Sequence, residues 1–445
     1  MKANAVISGA MNNRAASSGF QTEMTRYRLG DVADVIVGYP FDGHKYSRDG
    51  VPVVRGENVT IGALRWDIKK CWIEDFPLAD EYSLQDEDIV IGMDGSRVGR
   101  NRAQITMQDL PLLLAQRVAC VRAKAGLYDQ SFLYYQIFSQ SFESYVNTIQ
   151  SGSAVPHISQ KQIEDFPVSG LDFTKQRVIG KFLSALDRKI ALNRRKIATL
   201  EKMAKEIYDY WFVQYDFPDA NGHPYKSSGG EMVYSPELKR EIPKGWKVVD
   251  MRTVCDVVDC LHSKKPEFHI ENQDEYLLTL ENITRDGYVD LKKRFNISAS
   301  DYQNWIKNIE IRENDFVITN AGRAGDVAMV PRGVKCAAGR NMTVIRPHAV
   351  NPYYLRSFFK SSYMDMQVKT GLEPGALFMN FNVHAIKKLR LLVPDTRVMD
   401  QSKPLLGTAV VEVERCLAEI SLIESLRDFL LPLLMNGQVR IGGAA

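Results

Sequence analysis

The sequence predicts an α+β fold in which a domain of short strands and helices occurs twice and each copy is followed by a long helix. Three observations lead to this prediction. Short motifs recur in the same order in the two halves, β-type runs alternate with turn residues, and two segments place apolar residues at intervals of three and four. A chain of 445 residues also exceeds what one hydrophobic core usually serves, so two or more domains are expected.

The repeat begins with RGENVTIG at 55–62, which has a near-copy, LENITRDG, at 280–287. Three further segments recur in order: LQDEDIVIG (84–92) as IRENDFVIT (311–319), GSRVG (95–99) as AGRAG (321–325), and AQRVACVR (115–122) as GRNMTVIR (339–346). The aligned pairs are Glu57 with Glu281, Asn58 with Asn282, Thr60 with Thr284, Asp88 with Asp315, Arg97 with Arg323, Gly99 with Gly325, Arg117 with Arg340 and Arg122 with Arg346. Because the order is kept, we interpret the chain as two copies of a unit of roughly 220 residues.

The composition is typical of a globular protein, with 45% hydrophobic and 25% charged residues. No apolar run reaches the length of a membrane span, and residues 1–24 are expected to form a disordered leader. The six cysteines are scattered without paired CxxC motifs, which favours a reducing cytoplasm. A net charge of +3 neither requires nor excludes nucleic acid as a partner.

Each copy starts with short β-type runs separated by turns, such as VADVIVG (32–38) and EDIVIG (87–92) in the first copy. A helical segment follows at 130–146, and its partner lies at 351–368. These patterns predict β-rich domains at 25–172 and 246–394.

Long helices are predicted at 173–213 and 395–437, because apolar residues there recur at intervals of three and four, as in a coiled coil. Asn193 occupies the one polar position of the first apolar stripe, where it either fixes the register of the helices or faces solvent. Asn436-Gly437 ends the second helix. Residues 174–212 contain ten Lys/Arg and four Asp/Glu, whereas residues 395–435 contain four and seven. Opposite charges favour antiparallel pairing of the two helices over docking of each on its own domain.

The remaining segments are short. Residues 214–245 are rich in Pro, Gly and Ser and are interpreted as a linker between the copies, and residues 438–445 form a tail.

Catalytic motifs are missing from the sequence: it has no P-loop, GxSxG, HExxH or convincing GxGxxG. NPYY at 351–354 is similar to an adenine-methyltransferase loop but lacks its second proline. We interpret Asn351 as a helix N-cap followed by Pro352 at the first helical position. Cys255, Cys260, His262 and His269 match no standard zinc module, so no metal site is predicted.

Two loops in each copy combine cationic, aromatic and glycine residues. Residues 39–50 of the first copy correspond to 260–269 of the second, and residues 93–102 correspond to 320–326. Glycines let a backbone approach a phosphate or groove, and an arginine fork can bond guanine O6 and N7. An ordinary solvated turn is an equal alternative for both loops. The candidate DNA-binding residues are Lys45, Tyr46, Arg97, Arg100, Lys264, Lys265 and Arg323.

The chain resembles the specificity subunits of Type I restriction-modification systems from residue 24 to residue 437. The segment QRVIGKFLSALDRKIALNRRKIATLEKMAKEIYDYWFVQYDF (176–217) has the L-x-x-L-D-x-K-I-x-x-N, L-E and W-F pattern of that family's first helix. QSGSAVPHISQKQIEDFPV (150–168) is similar to the end of its first target-recognition domain. The second copy lacks the L-D-x-K-I-x-x-N signature, so its match is looser.

The resemblance implies two target-recognition domains separated by paired antiparallel helices, with half-sites roughly 34 Å apart on double-stranded DNA. It also implies a non-catalytic, cytoplasmic subunit without a cofactor of its own. Its implied partners are two adenine-N6 methyltransferase subunits using S-adenosylmethionine, and restriction subunits using ATP and Mg. Because the loops of the two copies differ, the expected DNA site is asymmetric. The alternatives are a scaffold whose two domains bind proteins and, third, an enzyme fused to the recognition function.

Overall fold

A computed structural model describes residues 26–73, 79–149, 156–261, 268, 275–292, 294–371 and 381–439. The predicted leader at 1–24 lies outside the described residues. The chain divides into two compact units: unit 1 contains the described residues up to Arg188 and from Ile423 onward, and unit 2 contains Lys189–Leu422.

Unit 1 combines small sheets with short helices. Its strands are β1 (Arg26–Arg28), β2 (Ala33–Val37), β3 (Val51–Val54), β4 (Cys71–Trp72), β5 (Ile89–Gly92), β6 (Arg102–Gln104), β7 (Leu113–Leu114), β8 (Val118–Ala123) and β9 (Pro167–Ser169). Its helices are α1 (Leu29–Val32), α2 (Ala79–Tyr82), α3 (Gln130–Ile137), α4 (Gln140–Ile149) and α5 (Gln160–Glu164). The long helix α6 (Phe173–Tyr208) begins in unit 1 and continues into unit 2.

Unit 2 has the same mixture of elements. Its strands are β10 (Met232–Ser235), β11 (Arg240–Pro243), β12 (Lys247–Asp250), β13 (Cys255–Asp259), β14 (Tyr276–Leu278), β15 (Phe295–Asn296), β16 (Phe316–Thr319), β17 (Val327–Met329), β18 (Cys336–Ala338), β19 (Met342–Pro347) and β20 (Arg390–Val393). Its helices are α7 (Ala299–Trp305), α8 (Pro352–Phe359), α9 (Ser362–Gly371) and α10 (Val383–Lys387), and α11 (Thr396–Met435) begins here and ends in unit 1. The predicted α+β fold class is therefore confirmed.

The sheets of the two units have one topology. Unit 1 has an antiparallel sheet in the order β2-β8-β5-β6, and unit 2 has β13-β19-β16-β17. A second sheet, β4-β3-β7 or β15-β14-β18, has one antiparallel and one parallel pairing in each unit. The pairs β1-β9 and β12-β20 join the start of each domain to its end. This agreement is what a duplicated domain requires.

The repeated aspartate and arginine form the same buried ion pair in both units. Arg122 donates to both carboxylate oxygens of Asp88 at 2.7 and 2.6 Å, and Arg346 bonds Asp315 in the same way at 2.9 and 2.6 Å. Each aspartate also accepts from the backbone N–H three residues before it. Since both aspartates are buried, these repeated residues stabilise the domain and do not face a ligand.

The repeated asparagine fastens a turn. Asn58 accepts from the N–H of Arg55 at 3.0 Å and donates to the carbonyl of Arg65 at 3.0 Å. Asn282 makes the equivalent bonds to the N–H of Thr279 and the carbonyl of Asp290 at 2.9 and 2.8 Å. The hydrogen bonds of this turn therefore explain why the segment RGENVTIG recurs as LENITRDG.

The repeated glycine lies where a side chain does not fit. Gly99 has φ +81°, and a Cβ there would lie 2.8 Å from Val146 Cγ1. Gly325 has φ +92°, and its Cβ would lie 2.7 Å from Val368 Cγ1. Both the left-handed backbone and the helix packed beside it select glycine at this position.

Replacing Gly99 by Ala is expected to lower the free energy of unfolding by about 2–4 kcal/mol, through left-handed strain and overpacking against Val146. Gly126→Ala is the matched control, because Gly126 has φ +76° but no described atom within 4 Å of the added carbon. It should lose only about 1–2 kcal/mol. Urea unfolding of both variants measures the difference, and equal losses would show that the contact with Val146 is unimportant.

The two long helices pair in an antiparallel direction within unit 2. Asn193 of α6 donates to Glu419 of α11 at 2.8 Å, and Lys196 lies 2.6 Å from Glu412. Asn193 is only 4% exposed, so the polar residue of the apolar stripe lies between the helices and does not face solvent. In unit 1, Arg427 of α11 bonds Asp187 of α6 at 2.7 Å. The prediction from opposite charges is borne out in both units.

Residues 214–245 were interpreted as a linker, but this segment is a folded part of unit 2. Strands β10 and β11 pair as a hairpin, and the Phe217 ring stacks on Trp246 and on Tyr225 at centroid distances of 5.0 and 4.7 Å. The segment folds because its aromatic residues bury apolar area, which its Pro, Gly and Ser content concealed.

Helix ends follow their sequence signals. Asn351 caps α8 by accepting from the Tyr353 N–H at 2.9 Å, and Pro352 takes the first helical position, so NPYY is a helix start. Helix α11 ends one residue before Asn436, and Gly437 has φ +64°.

Candidate nucleic-acid interface

An open pocket of about 600 Å³ in unit 1 has a cationic rim and an aromatic wall. Its lining includes Phe41, Tyr46, Arg55, Glu57, Lys70, Asp94, Gln116 and Arg117. Phe41 and Tyr46 lie in the loop after β2, Arg55 and Glu57 in the turn after β3, and Lys70 directly before β4. The other residues lie after β5 or between β7 and β8. A concave surface with several Lys and Arg side chains attracts polyanions such as DNA.

Tyr46 forms part of the pocket wall. The Arg55 guanidinium carbon lies 5.4 Å from the centre of its ring, and Lys70 Nζ lies 5.6 Å from it. Burial raises the pKa of the Tyr46 hydroxyl, although the charge of Arg55 acts in the opposite direction. The ring thus holds two cations at the rim and keeps a neutral hydroxyl. Lys45 is the preceding residue, is exposed, and ends a short turn capped by Asp42.

Arg97 and Arg100 lie in the loop after β5. Arg97 is exposed, and no ion pair joins it to any other described residue. Arg100 is 60% exposed, and its Nε lies 2.5 Å from Glu143 Oε1 of α4. Arg97 is therefore available to a ligand in this structure, whereas Arg100 is partly neutralised.

Arg323 aligns with Arg97 but has a different environment. Its Nη2 donates to the carbonyls of Leu280 and Ile283, the latter at 2.5 Å, and its Nη1 lies 3.4 Å from Asp326. These bonds fasten the turn that contains Asn282, so this guanidinium has an intramolecular role in unit 2.

The last two candidate DNA-binding residues, Lys264 and Lys265, lie outside the described residues, as do His262 and His269. Cys255 and Cys260 are buried free thiols, and burial raises the pKa of Cys255 to about 12. Within the part of the chain that the structure describes, no group of three or more His, Cys, Asp or Glu residues could hold a metal ion.

The helix α6 ends at Tyr208, and Trp211 and Phe212 lie in the helical turn that follows it. All three side chains are buried, and Phe212 packs against Tyr354 at a centroid distance of 4.7 Å. This end of the helix is therefore part of the core of unit 2.

One exposed turn was not predicted from the sequence, because the alignment of Arg117 with Arg340 is displaced by one residue from the strand register. Strand pairing matches Val118 opposite Gly92 with Met342 opposite Thr319. The residue before each strand is therefore Arg117 in unit 1 and Asn341 in unit 2, with φ of 67° and 62°. Pairing Arg117 with Arg340 was wrong, and Arg340 instead corresponds to Gln116.

No helix among the described residues is long and apolar enough to span a membrane.

Comparisons with known proteins agree with this fold. Residues 21–202 match the family described as the Type I restriction modification DNA specificity domain. The Type I restriction enzyme MjaIX specificity subunit of Methanocaldococcus jannaschii is 21% identical over 335 residues, which cover 74% of each chain. The EcoBI specificity subunit of Escherichia coli is 23% identical over 349 residues, covering 76% of this chain and 69% of that protein.

A solved structure shows the same fold at low sequence identity. The crystal structure of the Type I restriction-modification S subunit from M. genitalium matches with a TM-score of 0.61 and 12% identity, over 94% of this chain and 98% of that one. Residues 21–202 therefore match the DNA specificity domain of Type I restriction-modification systems, and the chain is similar over about three quarters of its length to specificity subunits of those systems.

Proposed function

We propose that this chain is the DNA sequence-recognition subunit of a Type I restriction-modification complex and that it reads an asymmetric, bipartite DNA site. One β-rich domain in each unit would read one half-site. The observation that supports this most strongly is that the two domains share one strand topology but differ in the side chains on equivalent exposed turns. A common scaffold with different surface residues suits the recognition of two different short sequences.

The pocket of unit 1 supports DNA as the ligand. Arg55, Lys70 and Arg117 line one concave surface, and Lys45 is exposed beside it. Glu57 and Asp94 pair with Arg55 and Arg117, and the cations of the pocket still outnumber its two carboxylates. Affinity for DNA should therefore fall steeply as salt rises. Arg97, with its exposed guanidinium, and Tyr46, in the pocket wall, remain candidates for DNA contact.

The proposed protein partners are two adenine-N6 methyltransferase subunits. Exposed apolar side chains on α11 supply surfaces of the right kind: Leu426 and Phe429 are 42% and 67% exposed in unit 1. In unit 2, Leu405 and Val411 are 44% and 52% exposed, beside a groove where Tyr353 contacts Gly407. Exposed apolar patches of this kind commonly mark protein interfaces.

Catalysis would belong to the partners. The methyltransferase subunits would use S-adenosylmethionine, and restriction subunits in the full complex would use ATP and Mg. We propose the cytoplasm as the site of action, which agrees with six free, buried cysteines.

The experiment is single-molecule sequencing of adenine methylation in cells that express this chain with its neighbouring methyltransferase subunit. We expect an asymmetric bipartite motif that disappears when this chain is deleted, because the methyltransferase would then lack sequence recognition. Deleting an unrelated methyltransferase is the control. A competent methyltransferase that leaves no motif would favour the alternative of a scaffold whose domains bind proteins.

A further inference from the structure

Each unit presents an exposed two-residue turn immediately before a central strand. In unit 1 the turn is Gln116–Arg117 before β8, and in unit 2 it is Arg340–Asn341 before β19. All four side chains are exposed, whereas the strand residues that follow, Val118 and Met342, are fully buried. A turn fixed directly to the core holds its side chains in defined positions.

Equivalent backbone hydrogen bonds fix the two turns. The Met93 N–H donates to the carbonyl of Arg117 at 3.0 Å, and the Asn320 N–H donates to the carbonyl of Asn341 at 2.8 Å. One residue later, the carbonyl of Val118 accepts from the Gly38 N–H at 3.1 Å, and the carbonyl of Met342 accepts from the Cys260 N–H at 3.1 Å. Gly38 and Cys260 directly follow the equivalent strands β2 and β13. The turns are therefore the same structural element.

The second residue of each turn has a left-handed backbone, with φ of 67° at Arg117 and 62° at Asn341. Asparagine adopts this conformation comparatively readily, whereas an arginine seldom does, so the strain concerns Arg117. Glycine would relieve the strain at no loss of backbone hydrogen bonding. An arginine kept at position 117 despite this strain suggests that its side chain has a use.

The chemistry of the four residues suits the base edges of DNA. An arginine can donate two bonds to guanine O6 and N7, and a glutamine or asparagine amide can bond adenine N6 and N7. Unit 1 has the amide first and the arginine second, whereas unit 2 has them in the reverse order. Two half-sites of different sequence would be read by one element with exchanged residues.

In unit 1 the arginine is oriented by a second residue. Arg117 Nη1 lies 2.5 Å from Asp94 Oδ2, while the Arg117 side chain is still 70% exposed. Asp94 is also hydrogen-bonded by His157 Nδ1. Burial alone would raise the pKa of the Asp94 carboxyl, but the bonds from His157 and Arg117 outweigh it and lower that pKa. The ionised carboxylate holds one side of the guanidinium and leaves its other donors to solvent.

Among the described residues of unit 2, no carboxylate takes the place of Asp94. Counted from the β16 register, the residue that corresponds to Asp94 is Ala321, and no described acidic residue forms an ion pair with Arg340. Arg117 should thus be better ordered than Arg340 before DNA binds, and should discriminate more sharply.

We propose that the turns Gln116–Arg117 and Arg340–Asn341 are the base-reading elements of the two half-sites, and that Asp94 is a positioning residue for Arg117. This inference rests on the proposed function of the chain as a DNA-recognition subunit. It assigns the base contacts of unit 1 to the turn before β8 and not to the loop after β5, which contains Arg97 and Arg100.

The test is adenine-methylation sequencing with the full chain and its methyltransferase subunit. We expect Arg117→Ala to relax the preference at one G·C pair of one half-site by roughly 5- to 100-fold. Arg340→Ala should relax one pair of the other half-site only. An unchanged motif in both variants, or weaker methylation of every sequence alike, would overturn the proposal.

The variant Asp94→Asn tests whether Asp94 acts through Arg117, because a purely structural role of Asp94 would not change the preference at one particular base pair. It should relax the same base pair as Arg117→Ala, and it should add no further relaxation when combined with Arg117→Ala. Relaxation at a different pair, or an additive effect, would show that Asp94 does not act through Arg117.

Three controls separate the possible failures. Arg28→Ala in unit 1 and Arg332→Ala in unit 2 remove exposed arginines paired with Asp165 and Glu313, and should leave the motif unchanged. Arg117→Lys keeps a donor to guanine and should retain part of the preference if Arg117→Ala fails to assemble. Failure of the wild-type complex to give any motif would reject the proposed function itself, whereas a normal wild-type motif with unaffected variants rejects only this inference.

Discussion

Exchanging residues 246–394 for the same domain of another specificity subunit is expected to replace one half-site of the methylation motif and leave the other unchanged. The original motif should be lost completely, because every exposed turn of that domain is exchanged at once. The boundaries suit the exchange: β12 pairs with β20 in the register Lys247 opposite Val393 to Asp250 opposite Arg390, so the segment is closed by its own strands. The measurement is methylation sequencing with the same methyltransferase subunit.

The donor domain should have tryptophan at its first position, because Trp246 stacks on Phe217 of the preceding segment. The matched control is exchange of residues 25–172, which should alter the other half-site only; there β1 and β9 close the domain in the same way. A recognised sequence that survives replacement of 246–394 would contradict the assignment of one domain to one half-site.

Asp315→Asn is expected to lower the free energy of unfolding by about 2–4 kcal/mol. The substitution keeps the shape of the side chain but removes the charge that faces Arg346, whose side chain is only 25% exposed. It also weakens the acceptor for the Arg312 N–H, which lies 2.8 Å from the carboxylate. Urea unfolding of the full chain measures the loss.

Asp88→Asn should have an effect of similar size, because Arg122 and the Gln85 N–H bond Asp88 in the same geometry. Asp286→Asn is the control, since Asp286 is exposed on a turn of unit 2 and should change stability by less than about 0.5 kcal/mol. If Asp88→Asn and Asp315→Asn lowered the free energy of unfolding as little as Asp286→Asn, the repeated ion pairs would not be a main source of stability in either domain.

The long helices and their ends were predictable because their signals are local. Apolar residues at intervals of three and four define the buried stripe of α6, whereas only the structure shows that Asn193 lies between the helices, where it bonds Glu419. Asn351 and Pro352 were read as a helix start from adjacent residues. Hydrogen bonds and burial within a few turns of one helix determine such features, so the sequence contains them directly.

The repeat was also predictable, but the roles of the repeated residues were not. Sequence identity marked Asp88, Asp315, Arg122 and Arg346 without showing that they form buried ion pairs across two strands. Arg97 and Arg323 aligned as equivalent, yet one is exposed and the other bonds backbone carbonyls of its own unit. Repetition identifies what both domains need, which is mostly stability, while recognition requires residues that differ.

By itself the sequence determined the α+β class, the recurring motifs, the paired helices and the resemblance to Type I specificity subunits, because each depends on periodicity or on contiguous motifs. Only the tertiary structure decided which loops meet. The pocket in unit 1 brings Arg55, Lys70 and Arg117 together from three separate segments, and the turn at Gln116–Arg117 is recognisable only from the strand register. A candidate base-reading surface depends on which side chains strand pairing leaves exposed, and that is a property of long-range packing rather than of neighbouring residues.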